Sequence, residues 1–404
     1  MQNKLKILND PIYGFITIPN ESIFDIVEHP YFQRLRRIAQ MGLSSLVYPG
    51  ANHSRFHHAL GCMHLMEQAL KVLRFKGTPF SEEEEEALLM AILLHDIGHG
   101  PFSHAMEQTL INDVSHESIS LRFMEKLNNI FEGRLELAVQ IFNGKYPRRF
   151  FKQLIASQLD VDRLDYLKRD SFYTGVAEGN INSKRLIAML NVHQDELVVE
   201  GKGIYSVEKF LVARRLMYWQ VYFHKTSLGA EQLLIRVLKR AKDLALQGTF
   251  LKATPALQFF LENKIDSTNF TDDVLKKFSR LDDCDIVSAL KLWEDEQDFV
   301  LSQLSKMLLR RNLLKVKMQA TPIAPDFLDL KLKEVCERYD LPVEEARYFV
   351  FCDKVSQQAY QHTNPIRILY KDGSVEDVAE ASDQFNLEAL TEPVVKYYIC
   401  YPKA

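Results

Sequence analysis

The chain has 404 residues with 50 Lys and Arg against 54 Asp and Glu, a net charge of −4, and 47% hydrophobic residues. That length holds one to three domains with a large core, and the mildly acidic balance argues against nucleic acid as a partner. Cys62, Cys284, Cys336, Cys352 and Cys400 show no C-x-x-C spacing, which excludes a paired-thiolate zinc site and points to a reducing compartment. With no signal-peptide pattern and no apolar run of membrane length, the sequence predicts a cytoplasmic protein without membrane contact.

Residues 4–19, with Asn9-Asp10-Pro11 and Gly14 between short apolar stretches, predict a small β-hairpin or extended arm. From Ile23 the period becomes helical. Pro30 opens a predicted helix through Phe32, Leu35, Ile38 and Ala39 that stops at Gly42. Its Arg34, Arg36 and Arg37 read as a solvated face or a small phosphate site. Asn52 or Ser54 caps the next helix, about Arg55 to Leu73. There His58, Cys62, Leu65, Ala69 and Val72 form an inward stripe, and His57 falls on the more polar stripe beside it.

Ser81-Glu82-Glu83-Glu84 is a capping box, and the helix it starts, through Ala87 to Leu94, is apolar nearly all round and therefore central. Short helices follow His104, one near His116-Glu117. A helix is then expected from about Arg149 to Asp170, and a two-glycine loop from Tyr173 to Asn182. Residues 196–206 suggest a hairpin around Gly201 and Gly203, and residues 207–247 one long helix containing the aromatic run Tyr218 to His224. The pattern stays helical to about 318. Ile366 to Tyr370, the turn Lys371-Asp372-Gly373, and Val394 to Tyr401 then read as strands. The fold expected is mainly α, with an N-terminal β arm (1–22), a helical core (23–250), a helical extension (251–319) and a small C-terminal α+β subdomain (320–404).

The chemistry concentrates in His95-Asp96-Ile97-Gly98-His99-Gly100-Pro101-Phe102-Ser103-His104, where the apolar helix ends. Imidazole and carboxylate are the ligand types of borderline divalent metals. Neighbouring helical residues point about 100° apart, so His95 and Asp96 share an ion only where the backbone can adjust, at a helix end. The other candidates are His58 and one aspartate of the cluster Asp160-Val-Asp162-Arg163-Leu-Asp165-Tyr166. Periodicity does not choose between Asp160 and Asp162, although Asp162 aligns with Tyr166 and Asp170 on one helical line. His99 and His104 exceed what one ion needs and are assigned to the substrate, as phosphate ligands or proton donors.

Three blocks carry a family resemblance: Ser54-Arg-Phe-His-His58, the His95–His104 run, and Asp160–Tyr166. In this order the sequence resembles the HD-domain phosphohydrolases. Within them it is most similar to the deoxynucleoside triphosphate triphosphohydrolase branch that includes the sterile-alpha-motif/HD-domain enzyme, over roughly residues 4–240. The resemblance implies an HD-domain helical core and metal ligands at His58, His95, Asp96 and Asp162, for one divalent ion among Fe, Mn, Zn, Ni, Co and Mg. It implies nucleotide contacts at Arg55, Arg163, Tyr166, Asp170, Arg214, Tyr222 and Lys225. By the same resemblance His104 is the general acid, His99 and His116 are active-site histidines, and Glu107 is an orienting carboxylate.

The regulated members of that branch bind a further nucleotide at a subunit interface, using the N-terminal arm and the helix after it, and Lys6, Asn9-Asp10-Pro11, Gln33, Arg36 and Gln40 resemble that region. Glu28 stands where a guanine-reading aspartate is expected; the alternative is that these residues build a dimer interface. The activity implied is hydrolysis of a nucleotide substrate, dNTP plus water to deoxynucleoside plus triphosphate, by a homo-oligomer (dimer or tetramer). The alternatives are a phosphomonoesterase or phosphodiesterase acting on another nucleotide, and a silent nucleotide-binding regulator.

Overall fold

A computed structural model describes residues 6–102, 104–107, 109–383 and 387–403 of the chain, and of His104, Glu388 and Ala389 the backbone alone. The fold is mainly α. The N-terminal arm is an antiparallel hairpin, β1 (Ile7–Asp10) on β2 (Gly14–Thr17), whose turn is tied by Asp10 Oδ1 accepting from the Ile12 and Tyr13 N–H groups, both at 2.9 Å.

Helix α1 (Arg55–Phe75) lies between α2 (Glu82–Leu94) and a helix of the second half of the core, α4 (Val161–Thr174); α3 (His116–Ile130) falls between them in sequence. The cap of α1 is reciprocal, with the Ser54 N–H donating to His57 Nδ1 at 3.2 Å, so His57 serves the helix end while His58 faces inward. In α2 the Ser81 N–H donates to Glu84 Oε2 (2.7 Å) and the Glu84 N–H to Ser81 Oγ (3.1 Å). Every residue from Ala87 to Leu94 is buried, and each large apolar side chain there contributes about 1.5–3 kcal/mol.

Past His95 the chain turns beneath the first turn of α3. Ser120 Oγ accepts from the Gly98 N–H (2.9 Å) and donates to the His95 carbonyl (2.8 Å), and a Cβ on Gly98 would overlap the His116 carbonyl and Ser120 nitrogen. Glycine is therefore required here by close approach.

Several expectations are corrected. The helix opened by Pro30 spans only Pro30–Gln33 and passes into a 3-10 turn, Arg34–Arg37, because Ile38 is extended and Ala39 bridges to Ser54. Arg34 is wholly buried and donates to the carbonyls of Leu281 (3.1 Å), Ile97 (2.7 Å) and His99 (3.0 Å), so it braces the turn after α2 from inside. Burial pushes its guanidinium down to about 9.

The helix expected over 149–170 is two, Arg149–Ile155 and α4, separated by an extended link that Asp160 caps. The first hairpin beyond α4 is β3 (Leu190–His193) on β4 (Glu196–Glu200), turning through Gln194 and Asp195 at positive φ, while Gly201–Gly203 is a 3-10 turn. The long helix of 207–247 is broken: α5 (Ile204–Met217) widens into a π turn, Tyr218–Tyr222, before α6 (Lys225–Leu246) begins. Four further helices occupy 255–309, the third being α7 (Asp283–Trp293). The helical pattern ends before β5 (Lys315–Gln319), which pairs with the chain's last strand.

The C-terminal segment is α+β, with helix α8 (Pro325–Tyr339), β6 (Phe351–Gln357), β7 (Arg367–Leu369), β8 (Val375–Asp377) and β9 (Val394–Tyr401). Its strands serve two sheets. Order β5-β9-β6 forms one, and β7 adds in parallel to β4 to give β3-β4-β7-β8. No helix among the described residues is long and apolar enough to cross a membrane.

Candidate metal centre and active site

Four groups meet where α1, the end of α2 and α4 converge. His58 Nε2 is 3.1 Å from Asp162 Oδ1 and 3.8 Å from Asp96 Oδ2, and His95 Nε2 is 3.4 Å from Asp96 Oδ1 and 3.6 Å from Asp162 Oδ1. The tautomers follow from the outer nitrogens. His95 Nδ1 lies 2.7 Å from the Ile92 carbonyl, which only an N–H can satisfy, and His58 Nδ1 lies 2.7 Å from Asp165 Oδ2. In their neutral forms both rings thus turn an Nε2 lone pair toward the two carboxylates. The Nε2 of His95 is buried without a hydrogen-bond partner.

Two imidazole nitrogens and two carboxylates converging on one point are the donor set of a divalent cation, and two nitrogens with two oxygens leave coordination positions open. Burial pushes the Asp162 carboxyl up, but the facing imidazoles hold it far below the usual carboxylate range. The sulfur of Cys62 is also near enough to be counted with His58, His95 and Asp162. It lies against the His58 ring, 3.5 Å from Nδ1, and burial drives its thiol well above the ordinary range, so we read it as a neutral packing neighbour.

Arg55, at the first position of α1, pairs with Asp96 Oδ2 and reaches the adjoining cavity, whose volume is about 320 Å³. Arg55, Tyr166, Asp170 and Tyr222 line it, joined by Gln40, Phe102 and Tyr218. Asp170 is clamped from two sides, by His53 Nε2 at 2.8 Å and by the Tyr222 hydroxyl, which donates at 2.8 Å. The π turn is what brings Tyr218 and Tyr222 to this wall.

Arg163 instead pairs with Asp160, and neither it nor Arg214 lines the cavity, although the Nε of each is buried without a partner. Lys225 is exposed at the start of α6 and is not itself part of the lining, although Phe223 and Ser227 on either side of it are. Asp160, left open as a ligand by the sequence, is spent on the cap: its oxygens accept from the Arg163 N–H (2.8 Å) and the Ser157 N–H (2.7 Å).

A second cluster stands beside the first. His99 Nε2 is 3.3 Å from Asp96 Oδ1, the His99 and His116 rings stack with centroids 4.0 Å apart, and Glu107 Oε1 is 2.9 Å from His116 Nδ1. Burial, with Arg55 nearby, pushes the His99 imidazole down to about 3, which favours a neutral acceptor over a proton donor. The side chain of His104 lies outside the described residues. The residues compared with a regulatory site divide. Lys6 pairs with Glu28, Gln33 donates to the Val27 carbonyl (2.7 Å), and Arg36 donates to Gln33 (2.8 Å). Asn9 sits in the hairpin opposite Phe15, and Gln40 belongs to the main cavity.

The sequence reading missed His53, Tyr218 and Asp283 as site residues and held Asp165 only within a cluster of candidate ligands, whereas its Oδ2 lies behind one, 2.7 Å from His58 Nδ1. Asp283 heads α7 and accepts from the Ala39 N–H (2.8 Å) and the Phe102 N–H (3.0 Å), joining two walls of the cavity. Its only signal was a cap position, next to Asp282, in a segment read for helices alone.

The convergence of metal-binding groups on a helical core agrees with the comparisons. The HD-domain family model matches residues 55–170 and the HD-associated-region model residues 181–252. The chain belongs to the HD-domain phosphohydrolases; it is a hydrolase with a site for a divalent metal. It is 52% identical to a crystallised phosphohydrolase of Bacteroides thetaiotaomicron, with a TM-score of 0.96 over 99% of this chain and 100% of that one. The uncharacterized Bacillus subtilis protein YwfO is 31% identical over 394 residues, 93% of this chain and 88% of that one. The Dictyostelium discoideum homolog of deoxynucleoside triphosphate triphosphohydrolase SAMHD1 is 30% identical over 293 residues, 67% of this chain and 54% of that one.

Proposed function

We propose that the protein is a metal-dependent dNTP triphosphohydrolase, converting dNTP and water to deoxynucleoside and triphosphate. The observation that carries this reading is the junction at Arg55, one side chain that pairs with Asp96 and also lines an aromatic, carboxylate-bearing cavity. Phosphates at the junction and a nucleoside in the cavity fit that arrangement. The similarity to the SAMHD1 relatives supports the nucleotide class. A divalent ion on His58, His95, Asp96 and Asp162 would supply Lewis acidity at neutral pH.

The chain's own residues do the rest. Arg55 places a fixed positive charge beside the phosphates. The Tyr222–Asp170 pair offers a hydroxyl and a carboxylate to the sugar, and Tyr166 a ring wall. Glu107 holds the proton on His116 Nδ1, leaving Nε2 to exchange a proton with substrate. Water attacks the α-phosphorus, the bond from phosphorus to O5′ breaks, and O5′ leaves with a proton; the resemblance gives that donation to His104. We place the reaction in the cytoplasm, in a homo-oligomer of two or four chains. The arm (1–22), core (23–250), helical extension (251–319) and α+β subdomain (320–404) are its working segments.

A second reading has its own support. His99, Glu107 and His116 hold ligand atoms within 4.8 Å of one another, which suits a two-metal phosphomonoesterase or phosphodiesterase. The test is to offer purified protein, with Mn, Fe, Zn, Ni, Co or Mg, each dNTP, an NTP, a nucleoside monophosphate and a cyclic dinucleotide. Chromatography is expected to show deoxynucleoside and intact triphosphate. Orthophosphate or a linear dinucleotide would favour the second reading, and the absence of any turnover would overturn both.

A further inference from the structure

A chain of buried charge leads from the N-terminal hairpin to His58. Asp10 Oδ2 accepts from Arg169 Nη1 at 2.7 Å. Arg169 donates by Nε to Asp165 Oδ2 (2.8 Å) and by Nη2 to Asp165 Oδ1 (2.9 Å). Asp165 Oδ2 in turn takes the His58 Nδ1 proton at 2.7 Å. Asp165, Arg169 and His58 are fully buried and Asp10 is 6% exposed, so no water substitutes for a missing partner.

The site is built to hold this chain. Gly61, one turn after His58 in α1, has no Cβ where one would overlap Asp165 Oδ1 and Arg169 Nη2, and Tyr13 of the hairpin turn lies over the guanidinium, its centroid 5.6 Å from Cζ. Asp10 makes both ends of the connection. Its Oδ1 closes the hairpin turn, and its Oδ2 holds Arg169.

We infer that the N-terminal hairpin is a positioning element of the metal centre, with Asp10, through Arg169 and Asp165, setting the tautomer and orientation of His58. The inference rests on the reading of His58 as a metal ligand. The carboxylate behind a ligating histidine fixes its ring and raises its basicity, and loss of such a partner costs about 10–100-fold in metal affinity. Asp165 has that position, and it is held on both oxygens by a guanidinium that the hairpin completes. The coupling is reciprocal: whatever factor hairpin docking gives metal affinity, the metal returns to hairpin docking.

Two measurements on the full-length protein test this. The first is Mn²⁺ affinity by EPR titration for wild type, Asp10→Asn, His58→Ala and Asp298→Asn. Asp10→Asn keeps an acceptor for the turn but sets an amide N–H₂ against Arg169. Asp298→Asn breaks the ion pair of Asp298 with Arg240 and controls for lost stability. Asp10→Asn is expected to weaken Mn²⁺ binding about 10–100-fold, with Asp298→Asn unchanged. Wild-type affinity in Asp10→Asn, or equal loss in both, overturns the inference. Wild-type affinity in His58→Ala instead overturns the ligand reading on which it rests.

The second is hydrogen exchange on wild type with and without Mn²⁺, which decides the matter if Asp10→Asn does not fold. The Ile12 and Tyr13 amides, bonded to Asp10, are expected to exchange more slowly with Mn²⁺. Unchanged exchange at a saturating Mn²⁺ concentration overturns the inference.

Discussion

The imidazole of His99 lies flat on that of His116, centroids 4.0 Å apart and planes inclined by 16°. Burial holds the His99 ring neutral, whereas Glu107, 2.9 Å from His116 Nδ1, orients the His116 ring and fixes which of its nitrogens faces away. His116 is therefore the better proton carrier of the pair. His116→Ala is expected to lower kcat by about 10²–10⁴-fold with KM little changed, and Glu107→Gln to give a smaller loss in the same parameter. Steady-state kinetics at saturating metal check this, and full turnover by His116→Ala would remove the ring from the mechanism.

What the sequence made legible follows physical rules with one local solution. The capping box at Ser81 and Glu84, the all-round apolar α2, and the inward stripe of α1 each needed only neighbouring residues, and His58 emerged from that stripe. The misread stretches depended on distant partners. The turn at Gln194-Asp195 has no Asn-Gly signal, and Asp195 is held there by the Arg149 N–H at 2.7 Å. Arg34 looked like surface charge because its three carbonyl acceptors come from residues 97, 99 and 281. Nor does hydrophobic period encode a π turn, so Tyr218 was left inside a continuous helix and outside the site.

The choice between Asp160 and Asp162 turns on the cap. Asp160 is consumed by the Arg163 and Ser157 N–H groups, whereas Asp162 faces both imidazoles. Asp160→Ala is expected to lose about 0.5–2 kcal/mol of stability, the worth of an N-cap, and to keep its metal. Asp162→Ala is expected to lose the metal while unfolding at a similar denaturant concentration in the metal-free state. Metal content by elemental analysis beside urea unfolding separates the two; a metal-free Asp160→Ala would reverse the assignment.

Tyr222 tests the cavity. Its hydroxyl is one of two groups holding Asp170, and His53 remains when it is removed. A hydrogen bond contributes about 0.5–1.5 kcal/mol, so Tyr222→Phe should raise KM for a dNTP roughly twofold to tenfold. Because the ring stays, kcat should fall far less. An unchanged KM would place the sugar elsewhere.

Asp283 makes a pH-dependent contribution to stability. Burial raises its carboxyl to about 6, although two backbone N–H groups favour the anion. The unfolded chain releases that proton near pH 4. Between these values the folded state holds more protons, so this group's contribution is greatest at low pH and falls as pH rises to about 6. The change amounts to at most about 3 kcal/mol. Asp283→Asn does not titrate. It also has one side-chain oxygen for two N–H donors, which leaves the Ala39 or Phe102 amide unpaired at a cost of about 1–3 kcal/mol. The stability of wild type minus that of Asp283→Asn should therefore be larger at pH 4 than at pH 7. Urea unfolding of both proteins across that range reads the difference directly, and a difference that grows with pH instead would mean that Asp283 is stabilised as the anion.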